Sequence, residues 1–321
     1  MKLNRLVLLI FSFTLLAFLV YFSDVKGIVE TLVKANIFYV ILAFLSMLGA
    51  MFSRVFRWKV MLDHLNQHTS LLNIWKVYVT GAYLSTFTPA RSGDPIKALL
   101  FKKATGKSFS KALPTLLVER MGDFVASVSI ALVGLFFLKE EMFLIDFFKL
   151  AIMVYVVLFS IFLYSFSSTK RLKRILGVLK KLFFFVKQLK DPNKINHFST
   201  IASVSVKQLK DLKLLVKVMI FSFTCWIFEG FIVYFSFLSV GTSVSLLTSV
   251  LLTQMVTLIS VLTFLPGSLG SFEVLLSLSM SKLESLSMST STAGVLIART
   301  IGLWSYVIIG SLLLPTFKEK S

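Results

Sequence analysis

Eight ionisable side chains lie in stretches of this sequence that are otherwise apolar enough to sit in lipid. A bilayer strongly disfavours buried ions, so such residues usually bind a ligand, line a path or pair with one another. Arginine suits a phosphate ligand, because guanidinium is a forked, permanently charged donor that matches phosphate oxygens. Carboxylates can neutralise the arginines, or accept an amine or a proton. The eight residues are Arg91, Asp94, Glu119, Arg120, Asp123, Glu229, Glu273 and Arg299.

We expect Arg91, Arg120 and Arg299 to line a polar cavity and to hold the phosphate of a lipid headgroup. Such a furrow would let the headgroup cross while the acyl tails stay in lipid, because dragging it through hydrocarbon is prohibitive. A structural alternative stays open, in which the same ions form salt bridges that lock the helices. For Asp94, capping of the helix that starts at Pro95 is a second alternative.

Two matching stretches place these residues in an internal duplication. TFTPARSG at 86–93 corresponds to TFLPGSLG at 263–270, which pairs Pro89 with Pro266. LLVER at 116–120 corresponds to VLIAR at 295–299, which pairs Arg120 with Arg299. Two matches in the same order at nearly one offset indicate a repeat, with half-repeats around 72–138 and 244–314.

Each half-repeat carries a helix-breaking motif. Proline ends a helix and glycine tolerates a tight backbone, so Pro89 with Gly93, and Pro266 with Gly270, predict two broken-helix hairpins. The helices that begin after the glycines would add oriented N–H groups to an anion site. Broken backbone at membrane depth is tolerated only where protein or water covers it.

The composition predicts a single all-α polytopic membrane domain over 1–321. The chain is 56% hydrophobic with mean hydropathy +0.86, values that are typical of membrane proteins. The net charge of +19 is explained by basic loops on the cytoplasmic side, so we predict no nucleic-acid partner. The motif ATGKS (104–108) lacks the first glycine of a phosphate-binding loop, and no ATP hydrolysis, cofactor, metal site or catalytic set is predicted.

Charge distribution sets the predicted topology. If 72–100 and 244–282 are re-entrant hairpins, the basic stretches at 91–111 and 170–217 both stay inside, with the N- and C-termini. The segment 170–217 itself predicts basic amphipathic helices on the cytoplasmic leaflet. Three spans then separate the hairpins, so the half-repeats are inverted, a recurring design of secondary transporters. The six full spans are 3–22, 37–57, 112–138, 145–167, 218–240 and 291–314.

Five stretches resemble the lysylphosphatidylglycerol synthase transmembrane family, a flippase-like integral membrane region. They are FRWKVML (56–62), GAYLSTFTPARSGDPIKALL (81–100), TGKSFSKALPTLLVERMGD (105–123), LPGSLGSFE (265–273) and ARTIG (298–302). The resemblance covers almost the whole chain. In the synthase a soluble aminoacyl-transferase domain follows, so a stand-alone member without that domain is expected here.

The resemblance implies a protein of the cell membrane that translocates or handles lipids. The first function it suggests is flipping of a phosphate-bearing lipid, an anionic phospholipid or a polyprenyl phosphate, without ATP. The alternative is a membrane subunit that presents a lipid acceptor to a separate aminoacyl- or glycosyl-transferase. The sequence leaves a homodimer open.

Overall fold

The computed structural model of the protein describes residues 2–88, 93–138, 145–166, 208 and 210–317. These residues form helices and turns, with no strand among them. The twelve α-helices are α1 (Lys2–Phe22), α2 (Val25–Val33), α3 (Ile37–His64), α4 (Leu71–Thr86), α5 (Ile96–Thr105), α6 (Phe109–Phe137), α7 (Ile145–Phe166), α8 (Leu212–Ser239), α9 (Leu246–Leu262), α10 (Ser271–Leu283), α11 (Met288–Arg299) and α12 (Ser305–Leu313).

Among the described residues, four helical segments are long and apolar enough to cross a membrane. They are α3, α6, α8 and the stretch Met288–Phe317, each 28 to 30 residues long, or about 42–45 Å at 1.5 Å per residue. A fifth is the bent pair α1 and α2, which meet at 85°. Helix α7 occupies the predicted span 145–167. The protein is thus a polytopic helical membrane protein, and the count of six spans stays a prediction.

The helices that flank each breaker motif form a hairpin. Helices α4 and α5 pack against each other, as do α9 and α10. They have 16, 10, 17 and 13 residues, so each spans at most about 26 Å and none alone crosses the ~30 Å hydrocarbon core. The first hairpin is antiparallel, because a Cβ on Gly81 would lie 2.4 Å from Lys97 Cγ, and one on Gly93 would lie 3.2 Å from Ser85 Cα.

The order of helices recurs along the chain at a nearly constant offset. Helices α3 and α8 both have 28 residues, and they begin at Ile37 and Leu212. The hairpins that follow them begin at Leu71 and Leu246, which is the same offset. The constant offset thus extends one helix before either predicted half-repeat, and the duplication itself stays a prediction.

Helices α3 and α8 run antiparallel and form the most extensive helix pair among the described residues. The N–H of Asn36, before α3, donates to the carbonyl of Ser239 at the end of α8, at 2.7 Å. At the opposite end, Gln208 donates to the carbonyl of Met61 at 3.4 Å. Since one hairpin follows each helix, the hairpins enter from opposite ends of the bundle, as an inverted repeat requires.

The two halves also interlock through equivalent glycines. A Cβ on Gly134 in α6 would lie 2.7 Å from Met255 Sδ in α9, and one on Gly310 in α12 would lie 2.4 Å from Tyr83 Cβ in α4. Gly134 and Gly310 are one position further apart in the sequence than the first residues of α3 and α8. The two glycines therefore occupy nearly equivalent places in the two halves. The first helix of each hairpin thus packs closely against the last long helix of the other half.

Two regions lie outside the predicted spans. Residues 25–33 form helix α2, which buries Ile28. Most of the predicted amphipathic segment 170–217 lies outside the described residues, and its last part, 212–217, belongs to α8.

Candidate functional site

The tips of the two hairpins meet. A Cβ on Gly267 in the second tip would lie 3.2 Å from Thr86 Cγ2 and 3.4 Å from the Thr86 carbonyl oxygen at the first tip. Gly267, Phe264 and Ser268 all have positive φ, at 61°, 55° and 54°. A bulky residue with positive φ is strained, and strain of this kind concentrates at functional sites.

Gly270 sits where the second hairpin turns into α10. Its φ is 84°, and a Cβ there would lie 2.7 Å from Leu15 Cβ and 2.8 Å from the carbonyl oxygen of Ser12 in α1. Its N–H donates to Glu273 Oε2 at 2.7 Å. A left-handed backbone and close packing on α1 together require glycine at this position.

We expect Gly270→Ala to destabilise the protein more than Gly241→Ala does. Both glycines have positive φ, at 84° and 79°, but a Cβ on Gly241 would have nothing within 4 Å. Strained backbone costs about 1–3 kcal/mol at either site, and overpacking adds about 1–3 kcal/mol at Gly270 alone. Thermal unfolding of both purified variants checks this, and equal melting temperatures would contradict the packing at the tip.

A buried ion cluster, which we call the Arg57 cluster, holds the first hairpin against α3 and α6. Arg57 is fully buried and lies 2.6 Å from Asp123 and 3.3 Å from Glu119. Lys97 Nζ donates to Glu119 at 3.1 Å, and the hydroxyl of Tyr78 donates to it at 2.8 Å. The six ions of the cluster are Arg57, Lys97, Arg120, Asp94, Glu119 and Asp123.

Arg120 is the member of this cluster that reaches open space. Its side chain is 36% exposed, against 2% or less for Arg57 and Lys97. It pairs with Asp94 at the first tip, and its Nη1 lies 3.5 Å from Asp123. Arg120 therefore joins the first tip to α6 while presenting part of its guanidinium to a ligand.

Arg299 joins the second tip to α11 in the way that Arg120 joins the first tip to α6. Its Nε donates to Glu273 Oε1 at 2.6 Å, and its Nη2 donates to the carbonyl of Gly267 at 2.8 Å. The guanidinium also lies over the ring of Phe272, 4.8 Å from the ring centre. In both halves, an arginine from the helix after the hairpin pairs with a carboxylate where the return helix begins.

A third ion pair joins the two halves at equivalent positions. The sequence separation of Arg54 in α3 and Glu229 in α8 equals the offset between those two helices. Arg54 Nη2 donates to Glu229 Oε1 at 2.7 Å, and Nη1 donates to the hydroxyl of Tyr306 at 3.2 Å. The pair thus marks the centre of the α3–α8 contact.

Two adjoining cavities lie among these charges. The larger, of about 200 Å³, is lined by polar residues that include Arg120, Asp123, Glu229, Thr257, Ser268 and Arg299. The smaller, of about 50 Å³, is lined by Arg54, Asp94, Lys97 and Tyr306, and shares Arg120, Glu229, Gly302 and Leu303 with the larger one. Gly302 lies in a π-helical turn, Thr300–Trp304, a feature frequent at functional sites. A space lined by both polar and apolar side chains therefore lies beside the two hairpin tips.

The structure gathers four of the eight predicted residues on the wall of the larger cavity, namely Arg120, Asp123, Glu229 and Arg299. Asp94 lines the smaller one. Glu119 and Glu273 are 1% and 2% exposed and line neither cavity. Their carboxylates therefore contact the arginines from outside the cavities. Arg91 and Pro89 lie outside the described residues.

The role of Asp94 is an ion pair in this structure. Its side chain makes no cap hydrogen bond to α5, and its carboxylate pairs with Arg120. The N–H groups at the start of α10 are likewise partly engaged, because the Gly270 N–H already binds Glu273. Fewer N–H groups at this helix end can therefore donate hydrogen bonds to a ligand than the sequence predicts.

Buried cations occur in two stretches where the sequence predicts cations on the cytoplasmic side. Arg54 and Arg57, with Trp58, lie near the predicted end of the span 37–57, but all three are buried, and α3 continues to His64. Lys97 lies in the basic stretch 91–111, but it is 1% exposed and pairs with Glu119. In both cases a cation that could have faced the cytoplasmic surface instead neutralises a buried carboxylate.

Arg54, Arg57 and Lys97 are members of the site that the sequence did not indicate. One signal was present: Arg54, Arg57 and Trp58 fall at i, i+3 and i+4, a single helix face. Helix α3 continues to His64, about two turns past Arg57, so both arginines lie within the helix and not at its end.

The described residues hold no group of three or more histidine, cysteine, aspartate or glutamate side chains placed to bind a metal ion. The GKS stretch also differs from a nucleotide site. The five residues before Gly106 belong to helix α5, whereas a phosphate-binding loop is an irregular, glycine-rich segment up to the start of its helix.

Comparison with known proteins gives consistent relatives. The family model described as the lysylphosphatidylglycerol synthase TM region matches residues 6–310. A UPF0104 membrane protein of Pyrococcus horikoshii is 24% identical, and the match covers 97% of this chain and 96% of that protein. One from Methanothermobacter thermautotrophicus is also 24% identical, over 99% and 96%. One from Methanocaldococcus jannaschii is 28% identical, over 72% and 92%. With a match over nearly its whole length, the chain belongs to the family of the lysylphosphatidylglycerol synthase transmembrane region.

Proposed function

We propose that the protein is a lipid flippase that moves a phosphate-bearing lipid between leaflets of the cytoplasmic membrane without ATP hydrolysis. The observation that carries this proposal is the larger cavity, where Arg120 and Arg299, one from each half of the chain, line the same wall. In this proposal the termini face the cytoplasm.

The cavity suits a phosphate headgroup. Guanidinium binds phosphate through paired, charge-assisted hydrogen bonds, and Arg120 is 36% exposed toward this space. Asp94, Asp123 and Glu273 pair with the two arginines. Exchange of a carboxylate contact for a phosphate contact keeps the charge of each arginine compensated throughout the cycle.

The hairpins suit a transport cycle. They come from opposite ends of the antiparallel α3–α8 pair and meet at Thr86 and Gly267. Inverted repeats with broken helices that meet near the midplane support alternating access in secondary transporters. Retraction of one tip at a time would open the cavity to one leaflet and then to the other.

Lipid scrambling in proteoliposomes tests the proposal. Trace fluorescent phosphatidylglycerol and a fluorescent polyprenyl phosphate would be added separately, and the label left after quenching of the outer leaflet would be followed over time. We expect faster loss of at least one label than in protein-free vesicles. Absence of flipping for both, with folded protein confirmed, would favour the alternative, a subunit that presents lipid to a separate transferase.

A further inference from the structure

Among the described residues, the charges that form ion pairs around the two cavities balance in number. The Arg57 cluster contains three cations and three carboxylates. The Arg299–Glu273 and Arg54–Glu229 pairs add one of each. Five basic groups therefore face five acidic groups around the cavities. Arg91 lies outside the described residues and is not counted.

This balance constrains how an anion can bind. A lipid phosphate adds one negative charge to this set of described ions, which is neutral. A buried charge without a partner is strongly unfavourable. Uptake of a cation together with the phosphate would restore neutrality, and a proton on one carboxylate does so with no additional binding site.

Glu229 is the carboxylate best placed to take that proton. Its side chain is 23% exposed, against 12% for Asp123, 11% for Asp94, 2% for Glu273 and 1% for Glu119. It pairs with one cation, Arg54, whereas Glu119 lies near three. It also lines both cavities. Protonation therefore breaks fewer contacts at Glu229 than at Glu119, Asp123 or Asp94.

The groups around Glu229 favour exchange of a proton for a phosphate. Arg54 of α3 contacts it, and Tyr306 of α12 holds the other side of Arg54. Across the larger cavity lie Arg120 and Asp123 of α6, Tyr155 of α7 and Arg299 of α11. Across the smaller one lie Tyr78 of α4, Lys97 of α5 and Asp94, and Cys225 lies one turn earlier on α8. Once Glu229 is neutral, the charge of Arg54 becomes available to a phosphate in the cavity.

We propose that Glu229 binds one proton together with the lipid phosphate, so that lipid and proton cross together and a pH gradient drives the lipid toward the alkaline side. This inference rests on the proposed flippase function. In the step, the carboxylate of Glu229 takes a proton from water on the acidic side and returns it on the other, and no bond of the lipid breaks.

The experiment is lipid redistribution under a pH gradient. Proteoliposomes with an interior one pH unit more acidic than the outside would carry trace fluorescent phosphatidylglycerol or, in a second arm, a fluorescent polyprenyl phosphate. With one proton per lipid, a tenfold proton ratio drives about a tenfold excess of label into the outer leaflet, since each tenfold ratio corresponds to the same free energy. Random protein orientation does not change this equilibrium.

The matched variants are Glu229→Gln and Glu30→Gln. The first mimics the protonated acid, and we expect it to lose the tenfold excess. The second changes a 57% exposed glutamate on α2, and we expect it to behave as the wild type. If Glu229→Gln does not fold, Glu229→Asp replaces it, with the excess kept and the pH dependence of the flipping rate moved.

Each outcome has one meaning. Flipping without an excess in the wild type would overturn the inference and leave the flippase proposal intact. A tenfold excess in Glu229→Gln, or an unchanged pH profile in Glu229→Asp, would overturn the assignment to Glu229. No flipping of either lipid by folded wild-type protein would overturn the flippase function and the inference with it.

Discussion

Arg120→Gln is expected to lower the rate of lipid flipping by about 10- to 100-fold. Hydrogen bonds to charged groups contribute about 1.5–3 kcal/mol each, and Arg120 is the most exposed cation on the cavity wall. The measurement is the initial flipping rate in proteoliposomes of matched protein content. Lys149→Gln, at a 58% exposed position on α7, is the control and should flip at the wild-type rate.

A second substitution separates the phosphate role of Arg120 from its role in the ion cluster. Arg120→Lys keeps the charge near Asp94 and Asp123 but loses the forked donor. We expect its melting temperature to stay close to that of the wild type while its flipping rate falls. Wild-type flipping in both Arg120 variants would show that the lipid phosphate does not contact this residue.

Arg57→Ala is expected to have the largest effect on stability. Arg57 is fully buried between Asp123 and Glu119, and removal of one partner from a buried ion pair costs about 3–5 kcal/mol, because the remaining charge is left unpaired. The expected result is a strong loss of folded protein on size-exclusion chromatography and a lower melting temperature in detergent.

Lys59→Ala on the same helix is the matched control. Lys59 is 32% exposed and pairs with Asp63 at 2.7 Å, and such surface pairs contribute only about 0–1 kcal/mol. Equal stability of the two variants would contradict the account of the Arg57 cluster as the lock between the first hairpin and α3.

The sequence predicted the hairpins well because their signals are local. Pro266 and Gly270 break a helix through their own backbone chemistry, whatever packs around them, and the structure places a broken tip there. Arg120 and Arg299 stood out for a related reason, since ionisable residues in apolar helices are rare. The composition alone was likewise enough to predict a polytopic membrane protein.

The sequence could not predict contacts that depend on how distant helices pack. The Arg54–Glu229 pair joins opposite charges from the two halves of the chain, and no local pattern links them before α3 and α8 are known to be antiparallel. Arg57 lay near an expected span end, where an arginine usually faces the membrane surface. Only its contact with Asp123 identifies it as part of the site.

Chemical blocking of the larger cavity tests most directly whether the lipid headgroup passes through it. The native Cys225 is buried, so a cysteine introduced by Thr257→Cys on the cavity wall can be labelled selectively with a bulky maleimide. Thr224→Cys, on the exposed face of α8, is the control. Loss of flipping on labelling at 257 but not at 224 is the result we predict. Flipping at the unlabelled rate after complete modification at 257 would contradict the cavity as the lipid path.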